Sequence, residues 1–367
     1  MSEQSPTAGD AVPRSRLRKA VIIVLFVTVA SAVLLALIEI AVRICVPVIR
    51  PEIIVKSNPP ADPGRPVKYA TPFFEGTLVS AEYKIEIKLN SEGFRDKEHD
   101  RAKPDGVVRI LAVGDSFTFG FGVEANETYP RLLERLFGET RAEVLNMGIG
   151  GLGTVEEADI VSYGVRYAPD LILLGLLAED RWSPHSGNDL CDNARVSRAA
   201  ASEAAAPART GLVGFSGRVQ RWLARNSAAY FRVMTRAGTG VRTSAVGLRE
   251  GRNRKELDEA WRITKDALRN IANVARGAGA RLVIVRIPFL YDVHSEEPDR
   301  TTAILTGFEK ESGIPVCDLL GTFRKHRDRN LYFPADGHWT PGAHRLAAKE
   351  ILWYLREHGL LTPGRQP

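Results

Sequence analysis

The chain has 367 residues, 44% of them hydrophobic and 26% charged, which excludes wholesale disorder and allows two domains or one large domain with appendages. Its net charge of +6 is too dilute for a nucleic-acid binder, so no nucleic-acid partner is expected. Three cysteines, without a CxxC, HExxH or Cys/His cluster, exclude a disulfide framework, and we expect neither a metal nor another cofactor.

The N-terminal part of the chain has the pattern of a membrane-spanning helix. Residues 20–38 carry no charged side chain, and together with Ile40–Val42 they reach the ~20 residues that span a bilayer. The alternatives are a buried helix of a soluble protein and a cleaved signal peptide. So long an uncharged run is rare in soluble proteins, and the candidate cleavage site Ala30-Ser31-Ala32 lies inside the apolar run. The sequence therefore predicts a transmembrane helix over residues 20–42.

Basic residues before this helix set its orientation. They are Arg14, Arg16, Arg18 and Lys19, and such residues mark the cytoplasmic side. Residues 1–19 are then a cytoplasmic tail, and the body of the protein is extracytoplasmic, in the periplasm if the source has an outer membrane.

Residues 43–105 are expected to form an extracytoplasmic stalk and a lead-in strand. Val46–Pro66 is rich in proline and lacks an apolar period. Tyr83–Leu89 alternates apolar and polar residues, as a half-exposed strand does, and Asn90–Gly93 supplies turn residues after it.

From residue 106 to 362, short apolar runs alternate with helical patterns. Strands covered on both faces are predicted at Val107–Val113, Val144–Leu145, Asp170–Leu174, Arg281–Val285 and Ile314–Asp318. Helices are predicted at Tyr129–Phe137, from Thr154 (where Thr154 and Glu157 have capping-box spacing), over Leu257–Gly277, and from Thr340 to Gly359. This alternation predicts an α/β fold with a parallel sheet between helices, which binds ligands beyond the carboxyl ends of its strands.

A basic insertion, about residues 192–255, interrupts this order with thirteen Arg or Lys against three Asp or Glu. It is either a basic surface near the mouth of the site or a surface for anionic glycan or lipid headgroups.

Two blocks at opposite ends of the predicted domain carry nucleophile chemistry. Ser116, in Gly114-Asp115-Ser116, directly follows the first strand, where neighbouring amides can stabilise an oxyanion. Asp336 and His338 lie on one loop after the last strand. A serine nucleophile needs a base to take its proton, and the base needs an acceptor that fixes its tautomer. The sequence thus predicts Ser116, His338 and Asp336 as a catalytic set.

These blocks, with Asn146-Met-Gly148-Ile-Gly-Gly151 between them, resemble the SGNH (GDSL-type) hydrolase family over roughly Val107–Leu361. The resemblance implies a flavodoxin-like three-layer α/β/α sandwich. It also implies Ser116 as nucleophile, His338 as base, Asp336 as its orienter, and the amides of Ser116 and Gly151 as oxyanion donors. The Asp336-Gly-His338-Trp339 ending is also similar to the SGNH domains of polysaccharide O-acetyltransferases.

One block departs from the family pattern. Where the family places an asparagine that donates to the oxyanion, this chain has Glu179, followed by Asp180 and Arg181. An ionised carboxylate only accepts hydrogen bonds. Either Glu179 is protonated, Arg181 replaces the donor, or the third donor is absent. Arg95 is another candidate: it either reaches the site or belongs to a structural turn.

The function expected from the resemblance is that of a membrane-anchored extracytoplasmic serine esterase. It would act on O-acyl, chiefly O-acetyl, esters of cell-envelope or exported carbohydrate, in association with envelope polysaccharide machinery. One alternative is an O-acetyltransferase that uses the same acyl-enzyme. The other is a catalytically degenerate module that binds a glycan or a partner, and Glu179 is its main support.

Overall fold

The computed structural model describes residues 14–45, 55–57, 68–80, 82–138, 141–178, 190, 193, 250–296, 299–334 and 336–361. Most of the predicted basic insertion, together with Glu179 and Arg181, lies outside these residues.

The N-terminal helix, α1, runs over Arg14–Cys45 and belongs to a different compact unit from the sheet described below. Its segment Val21–Ile40, 20 residues with a mean hydropathy of 3.1, is the one helix in the described part of the chain that is long and apolar enough to cross a membrane. Its length and composition fit a membrane anchor or a signal sequence.

The described residues from 55 onward belong to a second unit, which is built on a five-stranded parallel sheet. Its strands are β5 (Val108–Gly114), β6 (Ala142–Asn146), β7 (Leu171–Leu176), β8 (Arg281–Arg286) and β9 (Val316–Asp318). The spatial order is β6-β5-β7-β8-β9, so the chain starts at the strand next to one edge, adds β6 on one side and then winds the other way through β7, β8 and β9. The ligand site of such a sheet lies at its carboxyl edge, where the winding direction switches beside β5.

Helices cover both faces of this sheet. They are α2 (Ser116–Phe119), α3 (Tyr129–Phe137), α4 (Thr154–Gly164), α5 (Glu250–Gly277), α6 (Leu290–His294), α7 (Arg300–Ser312), α8 (Leu320–Lys325) and α9 (Pro341–Glu357), with short 3-10 turns at Ala125–Glu127 and Val165–Tyr167.

Alternate side chains of each strand join different hydrophobic clusters. In β5, Leu111 and Val113 pack in the cluster that contains α4 and α5, whereas Ile110 and Ala112 pack with α3 and α9. Burial on both faces explains why these strands read as continuous apolar runs. The architecture is the three-layer α/β/α sandwich with an N-terminal apolar helix, so the predicted fold class is confirmed.

The lead-in segment is more structured than the sequence indicates. Strands β1 (Val55–Ser57) and β2 (Lys68–Ala70) pair with each other, and β3 (Glu75–Val79) pairs with β4 (Lys84–Lys88) in an antiparallel hairpin. Only β4 was predicted, because the other three strands lack a clear apolar alternation. Buried residues of this hairpin pack against the residues that follow Ser116, forming a cluster of Leu78, Ile85, Ile87, Phe119 and Phe121.

One helix cap differs from its prediction, and a second is formed as its position in the sequence indicates but without a side-chain cap bond. The N-cap of α4 is Gly153, and Thr154 is buried with a hydroxyl that has no described partner, so the capping box is wrong. Thr340 does occupy the N-cap position of α9, but its hydroxyl donates to the carbonyl of Asn330 at 2.6 Å instead of accepting from the helix.

Candidate active site

Ser116 lies at the first position of the short helix α2, directly after β5. Asp115 precedes it as the N-cap, and a carboxylate oxygen of Asp115 accepts a hydrogen bond from the amide of Phe117 at 2.9 Å. This cap ends the strand abruptly and turns the chain at Ser116. The serine therefore stands at the carboxyl edge of the sheet, on the strand from which the winding starts.

His338 and Asp336 come to the same place on the loop before α9. The amide of Phe333 donates to the carbonyl of His338 at 2.9 Å, and the amide of Gly337 donates to the carbonyl of Phe333 at 2.8 Å. These bonds close a tight loop between Leu331 and Trp339, which are both buried. A side chain at its tip is consequently held by backbone bonds on both sides.

The three predicted side chains form a hydrogen-bonded chain. Nε2 of His338 lies 2.8 Å from Oγ of Ser116, across 222 positions of sequence. Nδ1 of His338 bonds Oδ1 of Asp336, and the amide of His338 approaches the same oxygen at 3.3 Å. The structure thus brings Ser116, His338 and Asp336 together in the order that base-assisted attack by a serine requires.

Aromatic rings fix the imidazole of His338. The ring of Phe121 stacks on it at 5.5 Å between centroids, and that of Phe117 lies at 5.0 Å. Phe117 lies in α2 and Phe121 two residues after its end, so the chain that carries Ser116 also packs against the imidazole.

The charge state of Asp336 suits an orienting role. Burial alone would raise the pKa of its carboxyl, but hydrogen bonds from His338 and from the Tyr83 hydroxyl outweigh burial and hold that pKa below its usual range. The carboxylate of Asp336 is therefore ionised near neutral pH.

The loop after β6 contains Gly151, whose amide is the second predicted oxyanion donor. The amide of Ile149 donates to the carbonyl of Gly114 at 2.9 Å, which ties this loop to the end of β5. A Cβ at Gly148 would lie 2.3 Å from the amide nitrogen of Phe119, so only glycine permits this close approach to α2. Gly151 has a φ of +79°, in the left-handed region. Neither its amide nor that of Ser116 has an acceptor among the described residues.

The remaining predicted residues divide into two groups. Glu179 and Arg181 lie outside the described residues, because the described stretch that contains β7 ends at Ala178. Arg95 is buried, and its guanidinium donates to the carbonyls of Gly120, Glu86 and Val123 at 2.6 to 2.9 Å. Arg95 thus ties the lead-in hairpin to the residues that follow α2, which agrees with the interpretation of Arg95 as part of a structural turn.

Two aromatic residues that follow His338, Trp339 and His344, are buried in the core. Trp339 is 1% exposed and contacts the rings of Phe117, Phe323 and His344. His344 is fully buried, its Nδ1 accepts from the amide of Tyr129 at 3.1 Å, and burial lowers its pKa to about 3. It is neutral at ordinary pH and away from solvent, which leaves His338 as the candidate base of this block.

Sequence reasoning missed the contact between the lead-in hairpin and the loop of Asp336. The Tyr83 hydroxyl donates to Oδ2 of Asp336 at 2.9 Å across 253 positions, and no motif pairs these residues. Among the described residues, no group of three or more His, Cys, Asp or Glu side chains is arranged to hold a metal ion.

A family model described as the GDSL-like lipase/acylhydrolase family matches residues 112–346. No curated protein matches the chain. Solved structures with a similar fold include TesA, at 12% identity and a TM-score of 0.39 over 68% of this chain and 98% of that one. A two-domain esterase active on acetylated mannans is 12% identical, with a TM-score of 0.40 over 71% of this chain and 52% of that one. A lipase/acylhydrolase from Enterococcus faecalis is 14% identical, with a TM-score of 0.38 over 71% of this chain and all of that one, 100%. The family assignment rests on the family model.

Proposed function

Because the chain belongs to the GDSL-like lipase/acylhydrolase family, we propose that its carboxylic ester hydrolase activity is carried out by Ser116, His338 and Asp336 as a catalytic triad. The observation that carries the proposal is the 2.8 Å hydrogen bond between Nε2 of His338 and Oγ of Ser116, with a carboxylate on the other ring nitrogen.

The reaction follows from these contacts. Oγ of Ser116 attacks the ester carbonyl carbon while Nε2 of His338 takes its proton, and Asp336 stabilises the imidazolium that forms. The amides of Ser116 and Gly151 donate to the oxyanion. The tetrahedral species collapses, the alcohol leaves with the proton from His338, and Ser116 carries the acyl group. A water molecule activated by His338 then releases the acid and restores the serine.

We expect an activated serine in this site to react with a fluorophosphonate, which traps it as a covalent adduct. The experiment labels the full-length protein in detergent. The test variant is Ser116→Ala, and the control is Ser162→Ala, which changes a serine on α4. Labelling of wild type and Ser162→Ala, but not of Ser116→Ala, is the expected result. A folded wild type that stays unlabelled would favour the glycan- or partner-binding module that Glu179 suggests.

For the substrate, the proposal is an O-acyl, chiefly O-acetyl, ester of cell-envelope or exported carbohydrate. It is supported by the similarity of Asp336-Gly-His338-Trp339 to polysaccharide O-acetyltransferases and by the N-terminal helix, which would hold the enzyme at the envelope. The same similarity favours a second candidate, an O-acetyltransferase in which a sugar hydroxyl replaces water. Measuring free acetate with and without an added acceptor sugar distinguishes the two.

For the location, the proposal is a single-pass protein with residues 1–19 in the cytoplasm, a transmembrane helix over residues 20–42, and a catalytic domain over residues 106–362 outside. Basic residues before the helix support this orientation. Protease added to intact spheroplasts should then digest the catalytic domain, as followed with an antibody against α9. Protection of that domain until the membrane is opened would reverse the orientation.

A further inference from the structure

Two residues of the lead-in hairpin bond directly to the loop that carries Asp336. The Tyr83 hydroxyl donates to Oδ2 of Asp336 at 2.9 Å, and Oε2 of Glu82 accepts from the Asp336 amide at 2.8 Å. Both lie in the turn between β3 and β4, before the segment 112–346 that the family model matches. Residues 112–346 thus receive two hydrogen bonds from residues outside the family match, and both are made with Asp336.

The turn holds Tyr83 in place. The amide of Tyr83 donates to Oγ of Ser80 at 3.2 Å, and the amide of Ser80 donates to the carbonyl of Tyr83 at 2.8 Å. The phenol ring packs on the ring of Phe333, with centroids 5.0 Å apart. Phe333 belongs to the same backbone-bonded loop as Asp336, so the hydroxyl approaches the carboxylate from a fixed direction.

The carboxylate of Asp336 needs such a partner. Its side chain is 25% exposed, and the terminal torsion of an aspartate is soft. Without the Tyr83 hydroxyl, both side-chain contacts of the carboxylate fall on Oδ1, which bonds Nδ1 and the amide of His338, and Oδ2 is left to water. With Oδ2 bonded to Tyr83, the other oxygen remains directed at Nδ1 of His338.

We propose that Tyr83 is a positioning residue of the triad, which locks the Asp336 carboxylate in the orientation that His338 requires. The inference rests on the triad proposed above and extends it by a fourth side chain. It makes the lead-in hairpin part of the catalytic unit, although in sequence the hairpin lies between the N-terminal helix and the first strand of the sheet.

The hydroxyl of Tyr83 remains a donor throughout the working range of an esterase. Burial and the neighbouring Asp336 carboxylate raise the pKa of this phenol well above its ordinary value. The hydrogen bond in turn removes part of the charge that Asp336 presents to His338. Without it, the carboxylate attracts a proton more strongly and stabilises the imidazolium more strongly, so both effects move the protonation of the pair to higher pH.

The test is Tyr83→Phe in the full-length protein, which keeps the ring on Phe333 and removes only the hydroxyl. Loss of one hydrogen bond to a charged group should lower kcat about 10-fold, with a much smaller change in KM. The acid limb of the kcat/KM profile should move to higher pH. The matched control is Tyr163→Phe. Tyr163 lies near the end of α4, and its hydroxyl also donates to a carboxylate, that of Glu92. Its loss should leave kcat and the pH profile unchanged.

Two further measurements make the outcomes decisive. In an Asp336→Asn background, Tyr83→Phe should have almost no additional effect, because a residue that acts through Asp336 has nothing left to position. A wild-type profile in Tyr83→Phe, or a lower kcat with an unmoved acid limb and a lower melting temperature, overturns the positioning role. Ser116→Ala is measured alongside. If it is inactive while Tyr83→Phe matches wild type, only the role of Tyr83 is lost; if it stays active, the triad is wrong and the role of Tyr83 with it.

Discussion

Replacing Ser116 with alanine is expected to lower kcat for an activated acetyl ester by roughly 10⁴- to 10⁶-fold, because no other group takes over the covalent step. Oγ of Ser116 is the atom that His338 Nε2 contacts at 2.8 Å. Alanine removes that atom without adding volume, so the α2 turn and the oxyanion amides should remain in place. KM should change little, since the substrate still has its binding contacts.

The measurement is steady-state hydrolysis by the full-length protein in detergent, with circular dichroism and thermal unfolding as checks on folding. Ser162→Ala, on the exposed side of α4, is the control and should retain wild-type turnover. Turnover by Ser116→Ala within tenfold of wild type would exclude the covalent mechanism.

The second large effect is expected for Asp336→Asn, which should lower kcat by about 10⁴-fold near neutral pH. The carboxylate accepts the Nδ1 proton of His338, so the neutral imidazole keeps Nε2 free to take the serine proton. An asparagine amide donates to Nδ1 and so favours the opposite tautomer, in which Nε2 already carries a hydrogen. The imidazole is then still present, but its Nε2 cannot accept the proton of Ser116.

The same assay, extended over pH, checks this explanation. Asp328→Asn, an exposed acidic residue on the segment before the catalytic loop, supplies the control and should behave as wild type. Because hydroxide can replace the occupied base, part of the lost rate should return at alkaline pH. A uniform loss at every pH, accompanied by a lower melting temperature, would instead indicate a disturbed loop.

Much of the fold could be predicted from local patterns. The runs that became β5 and β7 are apolar on both faces because helices cover both sides of the sheet, and that burial shows in sequence without knowledge of the partners. The pairing of Ser116 with His338 was also predictable, since topology brings strand ends to one edge of a parallel sheet.

The contacts that failed to appear in sequence depend on distant partners. Thr154 has the spacing of a capping box, yet its hydroxyl is buried inside the protein and a glycine takes the cap. Tyr83 looked like an ordinary residue of an alternating strand, and its hydroxyl gains meaning only because Asp336 lies opposite. Arg95 had two interpretations in sequence, and three backbone carbonyls that no motif specifies favour the structural one.

The hairpin of Glu75–Lys88 has a practical consequence for any shortened or shed form of the protein. A chain that starts at Tyr83 lacks β3 and its buried Leu78, so the hydroxyl that meets Asp336 loses the strand that supports it. A cut before Val55 keeps the β1–β2 pair, the hairpin and the sheet in one piece, and this is where a released form should begin. Proteolytic release between Lys88 and Val108 would separate the hairpin from the sheet and leave a body that contains every family motif. From the role proposed for Tyr83, we expect this body to have a lower turnover.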